Sequence, residues 1–436
     1  MLKLILSLTI FVSFVVAKYE NYDGYGLYDL QLTSQDQISL IKTLGTQWHL
    51  DIWPDAVPGR NSKVLVPGHL KTEFLAALTT SGVKFEVESD NIKEQLDLED
   101  RLLAAGRAKS NRTRDGGLTF DTIHSYEVVN DYLDELAEKY DTVTVATAGQ
   151  SIEGRDIKYL KISTTNFEDR SKPVIFIQSL LHAREWVTLP ASLYAIKKLV
   201  LDVTERHLVE EIDWIILPVA NPDGYVASHS GERFWRKNRR RGIIINDICF
   251  GVDLNRNFDS QWGTASSNFV CTEDYHGTGA FSEPESAAIR DVLLEHAGRT
   301  DLYIDLHSFG SMVLYGYGTG ALPWNALGLH VLGVEMAEAI DRVKWPENRN
   351  YLVGNIPLVL GYYASGGTSD YAMDLGIPFS YTYELPSYRN IQGQLNGFLV
   401  DPDFIEQAGH ETWEGLRTGA NFVLNVLRMK KMARQI

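Results

Sequence analysis

From about residue 118 onward, short apolar runs of strand length alternate with longer stretches of helical periodicity. The strand-like runs are Val143–Ala146, Ile157–Ile162, Val174–Gln178, Trp214–Val219, Leu302–Leu306 and Phe379–Tyr383. Helical stretches lie between them, at Val128–Lys139, Thr188–Leu199, Glu283–Glu295 and Leu329–Ala339. Continuous apolar strands must be covered on both faces, and helices of this spacing supply the cover. The alternation therefore predicts an α/β fold: a mixed, largely parallel central sheet with helices on both faces. Function in such sheets collects at the carboxyl ends of the strands. His182, Asn221, His307 and Glu384 all lie at or just beyond the ends of predicted strands.

A smaller α+β unit precedes this region. Tyr25–Leu32 alternates like a strand, Gln35–Leu44 has helical period, Lys63–Val66 reads as a strand, Leu70–Leu78 as a helix and Val83–Val87 as a strand. A charged helical stretch, Ile92–Ala108, leads into Lys109-Ser110-Asn111-Arg112-Thr113-Arg114-Asp115-Gly116-Gly117, which has the composition of an exposed linker. Arginines in such a segment invite cleavage by a trypsin-like protease, and Asn111-Arg112-Thr113 is a glycosylation sequon.

The first residues carry Lys3, an apolar run from Leu4 to Val16 and a small-residue site at Val15-Val16-Ala17. A run of about 13 residues falls short of the roughly 20 that span a bilayer, so it reads as a secretory signal. The expected organisation is signal peptide 1–17, pro-domain with linker 18–112, and catalytic domain 113–436. The product is expected to be secreted, extracellular, free of the membrane and monomeric. A net charge of −16 argues against a nucleic-acid partner. The two cysteines, Cys249 and Cys271, are expected to pair in an oxidising compartment. Lys237 to Arg241 reads as a solvated or ion-paired basic run.

His182-Ala183-Arg184-Glu185 sets an imidazole and a carboxylate three residues apart, within reach of one metal. On its own the spacing also fits a helix-terminal histidine beside a surface glutamate. With His307 as a third donor, two histidines and a glutamate would leave one position open, as in a catalytic zinc site.

Seven segments in fixed order carry a resemblance. They are His182-Ala183-Arg184-Glu185-Trp186, Asn221-Pro222-Asp223-Gly224-Tyr225, Phe234-Trp235-Arg236-Lys237-Asn238, Gly251-Val252-Asp253-Leu254-Asn255-Arg256-Asn257-Phe258, Asp305-Leu306-His307-Ser308, Tyr362-Tyr363-Ala364-Ser365-Gly366-Gly367-Thr368 and Tyr381-Thr382-Tyr383-Glu384-Leu385. With them the chain resembles the secreted zymogens of the pancreatic carboxypeptidase A/B family of zinc metallocarboxypeptidases. The resemblance implies one Zn2+ held by His182, Glu185 and His307, with Asp253 orienting the first ligand. It implies Glu384 as the catalytic carboxylate and Arg236 as the oxyanion-stabilising cation. Asn255 and Arg256 would hold the substrate's terminal carboxylate, and Tyr362 would close over it. Arg184, Ser308 and Phe309 would contact residues before the scissile bond, and Phe398 is assigned to the aromatic wall of the cleft. Its substrates would be peptide or protein C-termini.

Two departures stand out. Residues 392–396 look like an insertion between Glu384 and Phe398, which would displace that wall. In the side-chain pocket, the position that is acidic in B-type members and aliphatic in A-type members is Ser369, and the second aligned pocket position, Gly318, is small. An uncharged pocket predicts release of apolar or aromatic residues, as in protein digestion. Other readings are a carboxypeptidase of B-type or acidic specificity, a non-catalytic peptide-binding homologue, or an amidohydrolase or endopeptidase on the same scaffold. The Asn255/Arg256 clamp argues against the last of these.

Overall fold

The structure is a computed structural model that describes residues 18–53, 59, 61–109, 118–243, 249–387 and 396–433. The signal segment, the sequon at Asn111, the cleavage candidates Arg112 and Arg114, and residues 392–395 of the insertion lie outside the described residues.

The N-terminal unit runs β1 (Gly26–Gln31), α1 (Gln35–Trp48), β2 (Asp51–Trp53), β3 (Asn61–Val66), α2 (Lys71–Thr80), β4 (Lys84–Ser89) and α3 (Ile92–Lys109). Ser34 starts α1 by accepting a hydrogen bond from the Gln37 amide. The strands form one antiparallel sheet, ordered β2-β3-β1-β4. Strand alternation gives this sheet two uses. Tyr28, Leu30, Val64 and Val66 face α1 and α2 and make the unit's own core. Leu27 and Leu65 face the other way and pack with Phe234, Phe398 and Leu399 of the larger unit. Strand β2, three residues long, is too short to show a period and was not predicted.

The larger unit runs α4 (Tyr126–Lys139), β5 (Val143–Gln150), β6 (Asp156–Ile162), β7 (Val174–Ser179), α5 (Thr188–Ile196), α6 (His207–Glu210), β8 (Asp213–Leu217), α7 (Pro222–His229), α8 (Pro284–His296), β9 (Thr300–Ser308), β10 (Met312–Tyr315), α9 (Ala326–Asp341), β11 (Leu352–Asn355), α10 (Ile356–Leu360), α11 (Thr368–Asp374), β12 (Phe379–Leu385) and α12 (Pro402–Ala433). Its eight-stranded sheet is ordered β11-β10-β12-β9-β7-β8-β6-β5. Strands β12, β9, β7 and β8 are parallel at the centre, and antiparallel pairings join the flanks. The sheet is mixed with a parallel heart, as the alternation predicted. Both faces are covered: Ile175 and Ile177 of β7 join the core under α5, α9 and α12, while Val174 and Phe176 join the core under α8 and α11. Strands β10 and β11 are four residues each and were not predicted.

A bond between Cys249 and Cys271 closes a loop of sequence separation 22. The basic run needs one correction. Arg239 and Arg240 pair with Glu232 and Glu283. Lys237, however, is neither solvated nor ion-paired: it is buried, and its ammonium donates to the Val270 and Thr272 carbonyls at 2.8 and 3.1 Å. It pins the disulfide loop to the segment that carries Arg236.

Candidate active site

Sheet register assembles the centre of the site. β9 and β12 are parallel neighbours, and His307 is paired with Glu384 across them. Paired residues on adjacent strands point to the same face, about 5 Å apart. Strand β7, on the other side of β9, ends at Ser179, and the chain turns immediately to present His182 and Glu185. His182 Nδ1 lies 2.8 Å from Glu185 Oε1, and His307 Nδ1 lies 3.0 Å from both His182 Nδ1 and Glu185 Oε2. All three side chains are buried, with one potential ligand atom from each within 4.8 Å of the others.

The far nitrogen of each imidazole is fixed by a buried carboxylate. His182 Nε2 lies 3.0 Å from Asp253 Oδ1, and His307 Nε2 lies 2.7 Å from Asp305 Oδ2. Each Nδ1 is thereby left to face the centre, the orientation a metal ligand requires. Asp305 was not singled out from the sequence, although its signal was there: it stands two residues before His307 on one strand, hence on the same face. Gln178 and Thr368 donate to Asp305 in turn, at 3.0 and 3.1 Å. Burial opposes ionisation of Glu185, yet His182 and His307 outweigh it and hold Glu185 below the ordinary carboxylate range. Burial also opposes the charged form of His307, yet Asp305 and Glu185 hold that imidazolium well above its ordinary range, so metal capture here would release a proton. Burial and the nearby Glu185 carboxylate push Glu384 up to about 8, against the pull of His307 and Arg236. A bound dication would draw it back down.

Around this centre one cleft, with a cavity of about 150 Å³, is lined by Arg184, Arg236, Asn255, Arg256, Ser308, Phe309, Gly318, Tyr362, Ser369, Glu384 and Phe398 as well as the three candidate ligands. The expected ligand, catalytic and substrate-binding residues therefore meet in one place, with Asp253 directly behind His182. Arg236 donates to Asp253 Oδ2 from Nε and Nη2 at 3.2 and 2.8 Å, which locks the guanidinium beside His182. Asn255 accepts from the Thr368 amide at 2.9 Å, and the Arg256 Nη1 donates to the Asn255 carbonyl at 2.8 Å. Gly366, at φ 74°, passes so close that a Cβ would lie 2.3 Å from the Arg256 carbonyl oxygen. Tyr362 faces the cleft, whereas Tyr363 is 67% exposed. Phe398 lies in the cleft wall, 5.0 Å from Phe309 between ring centroids. Asn221 stands at a strand end but outside the cleft lining: it caps α7 and holds the Leu181 and Lys237 carbonyls.

The N-terminal unit sits on this cleft. Asp51 of β2 accepts two hydrogen bonds from Arg184, at 2.9 and 2.8 Å, and Trp53 packs between Phe234 and Phe398. Glu99 of α3 and Arg233 form a fully buried ion pair at 2.7 Å, and Glu99 also accepts from the Val400 amide at 2.7 Å. None of Asp51, Glu99 and Arg233 was singled out from sequence, because no local pattern marks a contact between units.

Two imidazoles and a carboxylate converging at the carboxyl edge of an α/β sheet, with a second carboxylate alongside, define a mononuclear metallohydrolase. The comparisons narrow the class. Residues 129–415 match the zinc carboxypeptidase family and residues 28–99 match the carboxypeptidase activation peptide. The chain belongs to the zinc carboxypeptidase family. It is 45% identical over 411 residues to carboxypeptidase B of Helicoverpa zea, covering 93% of this chain and 95% of that one. It is 32% identical to carboxypeptidase A2 of Rattus norvegicus, covering 92% and 94%. The crystal structure of carboxypeptidase A from Helicoverpa armigera superposes with a TM-score of 0.89 at 61% identity, covering 92% of this chain and 98% of that one. The chain is thus a zymogen-form metallocarboxypeptidase with one catalytic zinc ion, and the donor set of His182, Glu185 and His307 fits that ion. Among the described residues no helix is long and apolar enough to cross a membrane.

Proposed function

We propose that the chain is a secreted digestive carboxypeptidase of A-type preference, removing apolar or aromatic residues singly from peptide C-termini. When bound, zinc polarises the scissile carbonyl and acidifies water. His182, Glu185 and His307 hold it. Arg256 and Asn255 grip the terminal carboxylate, which a guanidinium does with two parallel hydrogen bonds. Arg236, held by Asp253, donates to the oxygen that gains charge in the transition state. Glu384 accepts a proton from the attacking water and returns it to the departing amine. Tyr362 closes the cleft against water, and Arg184, Ser308 and Phe309 hold the preceding residues.

The observation that carries the specificity is the state of Ser369. Its hydroxyl is 2.9 Å from that of Thr382 and shares a hydrogen bond with it, so the position carries a neutral hydroxyl and no charge. Met312, Leu314, Ile356 and Leu360 line the same cleft. A C-terminal Lys or Arg finds no charge at position 369, the position that is acidic in B-type members. The relatives' names, carboxypeptidase B and carboxypeptidase A, divide on this point. The test compares blocked dipeptides that differ in the last residue, at about pH 6. Phe, Tyr, Leu and Met should leave faster than Lys, Arg, Asp and Glu; faster release of Lys or Arg would overturn the reading.

We further propose residues 1–17 as signal, 18–112 as pro-domain and 113–436 as a monomeric catalytic domain, with activation by a trypsin-like protease cutting at Arg112 or Arg114. The grip of Asp51 on Arg184 supports a blocked cleft in the uncut chain. Limited trypsin treatment should raise activity sharply and leave a chain beginning at Thr113 or Asp115. An uncut protein as active as the trimmed one would contradict this.

A further inference from the structure

Thr368 opens α11 and is fully buried. Its hydroxyl lies 3.0 Å from Asn255 Oδ1 and 3.1 Å from Asp305 Oδ2, both of them acceptors. A hydroxyl has one hydrogen, so it serves one of the two at a time. Gln178 Nε2 donates to the Thr368 oxygen at 3.4 Å and to Asp305 Oδ1 at 3.0 Å, which leaves the hydroxyl hydrogen as the part free to turn. The two acceptors belong to different parts of the site. Asp305 Oδ2 fixes Nε2 of His307 at 2.7 Å. Asn255 lines the cleft beside Arg256, its Oδ1 also anchored by the Thr368 amide at 2.9 Å. The Asn255 Nδ2 lies 3.2 Å from His307 Nε2, which already gives its hydrogen to Asp305, so Nδ2 keeps its hydrogens for a ligand.

We propose that Thr368 is a positioning residue that couples the carboxylate clamp to the metal ligand His307. This rests on the clamp role of Asn255 and Arg256 given above and deepens it. A carboxylate that accepts from Asn255 Nδ2 polarises the amide and makes its Oδ1 the better acceptor, as hydrogen bonds in series do. The Thr368 hydrogen then turns to Asn255 and leaves Asp305, with no heavy atom displaced. Relieved of that bond, Asp305 draws harder on the His307 N–H, and His307 becomes the stronger ligand. The link is reciprocal: whatever a bound C-terminus adds to zinc affinity, zinc adds to the affinity for the C-terminus.

The test titrates the trypsin-activated holoenzyme with a competing chelator, with and without phenylpropanoate, which carries a carboxylate and an apolar side chain but no scissile bond. The ratio of the two zinc dissociation constants reads the coupling. The ligand should tighten zinc in the parent. Thr368→Val, which keeps the shape and loses the hydroxyl, should cut that gain about fivefold, the worth of one neutral hydrogen bond. Thr368→Ser should restore it. A loss of zinc affinity that is equal with and without the ligand marks a merely structural role and overturns the proposal. The parent alone supplies a second check: the proton between His307 and Asp305 should move downfield in the NMR spectrum when the ligand binds, and a proton that stays in place overturns the coupling. If Arg256→Ala binds the ligand as well as the parent does, the clamp reading falls and the proposal with it. A ligand lost with Arg256, but a gain that survives Thr368→Val, overturns the coupling alone.

Discussion

Glu384 shows how much a single position can owe to its strand. It pairs with His307 in register on β12 and β9, so its distance from the metal donors is set by backbone hydrogen bonding and needs no flexible reach. Glu384→Gln should retain zinc and inhibitor binding and lose turnover by about three orders of magnitude or more, measured as kcat with metal content checked in parallel. Turnover within a few fold of the parent would remove Glu384 from the chemistry. Gly366 makes a complementary prediction about shape. Gly366→Ala meets both a positive φ and the Arg256 carbonyl, so it should raise KM for free-carboxylate substrates more than it lowers kcat. His182 and Glu185 could be read from their spacing, whereas His307 was drawn in by its place at a strand end and the carboxylate clamp and Asp253 came only through the family resemblance of the segments that hold them. Asp51, Glu99, Arg233 and the role of Thr368 could not be read. Their significance comes from contacts spanning from 63 residues, between Asp305 and Thr368, to 301 residues, between Glu99 and Val400.

Among the elements, the buried parallel strands β7 and β8 were legible as apolar runs, the mark of a strand covered on both faces, and β9 and β12 as short stretches rich in aliphatic and aromatic residues. β2, β10 and β11 were not, since three or four residues carry no measurable period. Helix α12, 32 residues long, was also missed. Its buried stripe is interrupted by small and polar residues that serve close packing: a Cβ on Gly409 would stand 2.7 Å from the Tyr194 Cβ, and one on Gly419 would stand 2.9 Å from Leu302 Cδ2. The same helix buries Glu411, fully inaccessible, with one carboxylate oxygen unpartnered. Burial pushes it from 4.5 up to about 7. A carboxyl raised on folding contributes most below its unfolded value, and that contribution is lost as pH climbs to the folded value. Stability should therefore fall between about pH 4.5 and pH 7 on this account. Glu411→Gln should remove that slope, gaining up to about 3 kcal/mol relative to the parent at pH 8 over its standing at pH 5. Denaturant unfolding at the two pH values checks it, and an identical difference at both would contradict the assignment.

Taken as a whole, the molecule has two sheets, and the smaller packs against the cleft of the larger. The small sheet spends one face on its own core and the other on the cleft, and two ion pairs clamp the contact: Asp51 with Arg184 and Glu99 with Arg233. The pairs differ in kind. Breaking the fully buried Glu99–Arg233 pair leaves an uncompensated cation, a loss of about 3–5 kcal/mol. Glu99→Ala should lower the melting temperature of the intact zymogen and raise its activity before any cleavage. Asp51→Ala, at the cleft mouth, should raise uncut activity with a smaller effect on melting. Unchanged uncut activity in both would mean that some other contact blocks the cleft. The central claim is a zinc-dependent exopeptidase built on His182, Glu185 and His307. It is tested most directly by measuring bound zinc together with hydrolysis of benzoyl-glycyl-phenylalanine by the activated protein and by its His307→Ala variant. The parent should hold one zinc per chain and lose activity to phenanthroline, regaining it with added zinc, and the variant should lack both metal and activity. A His307→Ala protein that still held one zinc and still cleaved the substrate would contradict it.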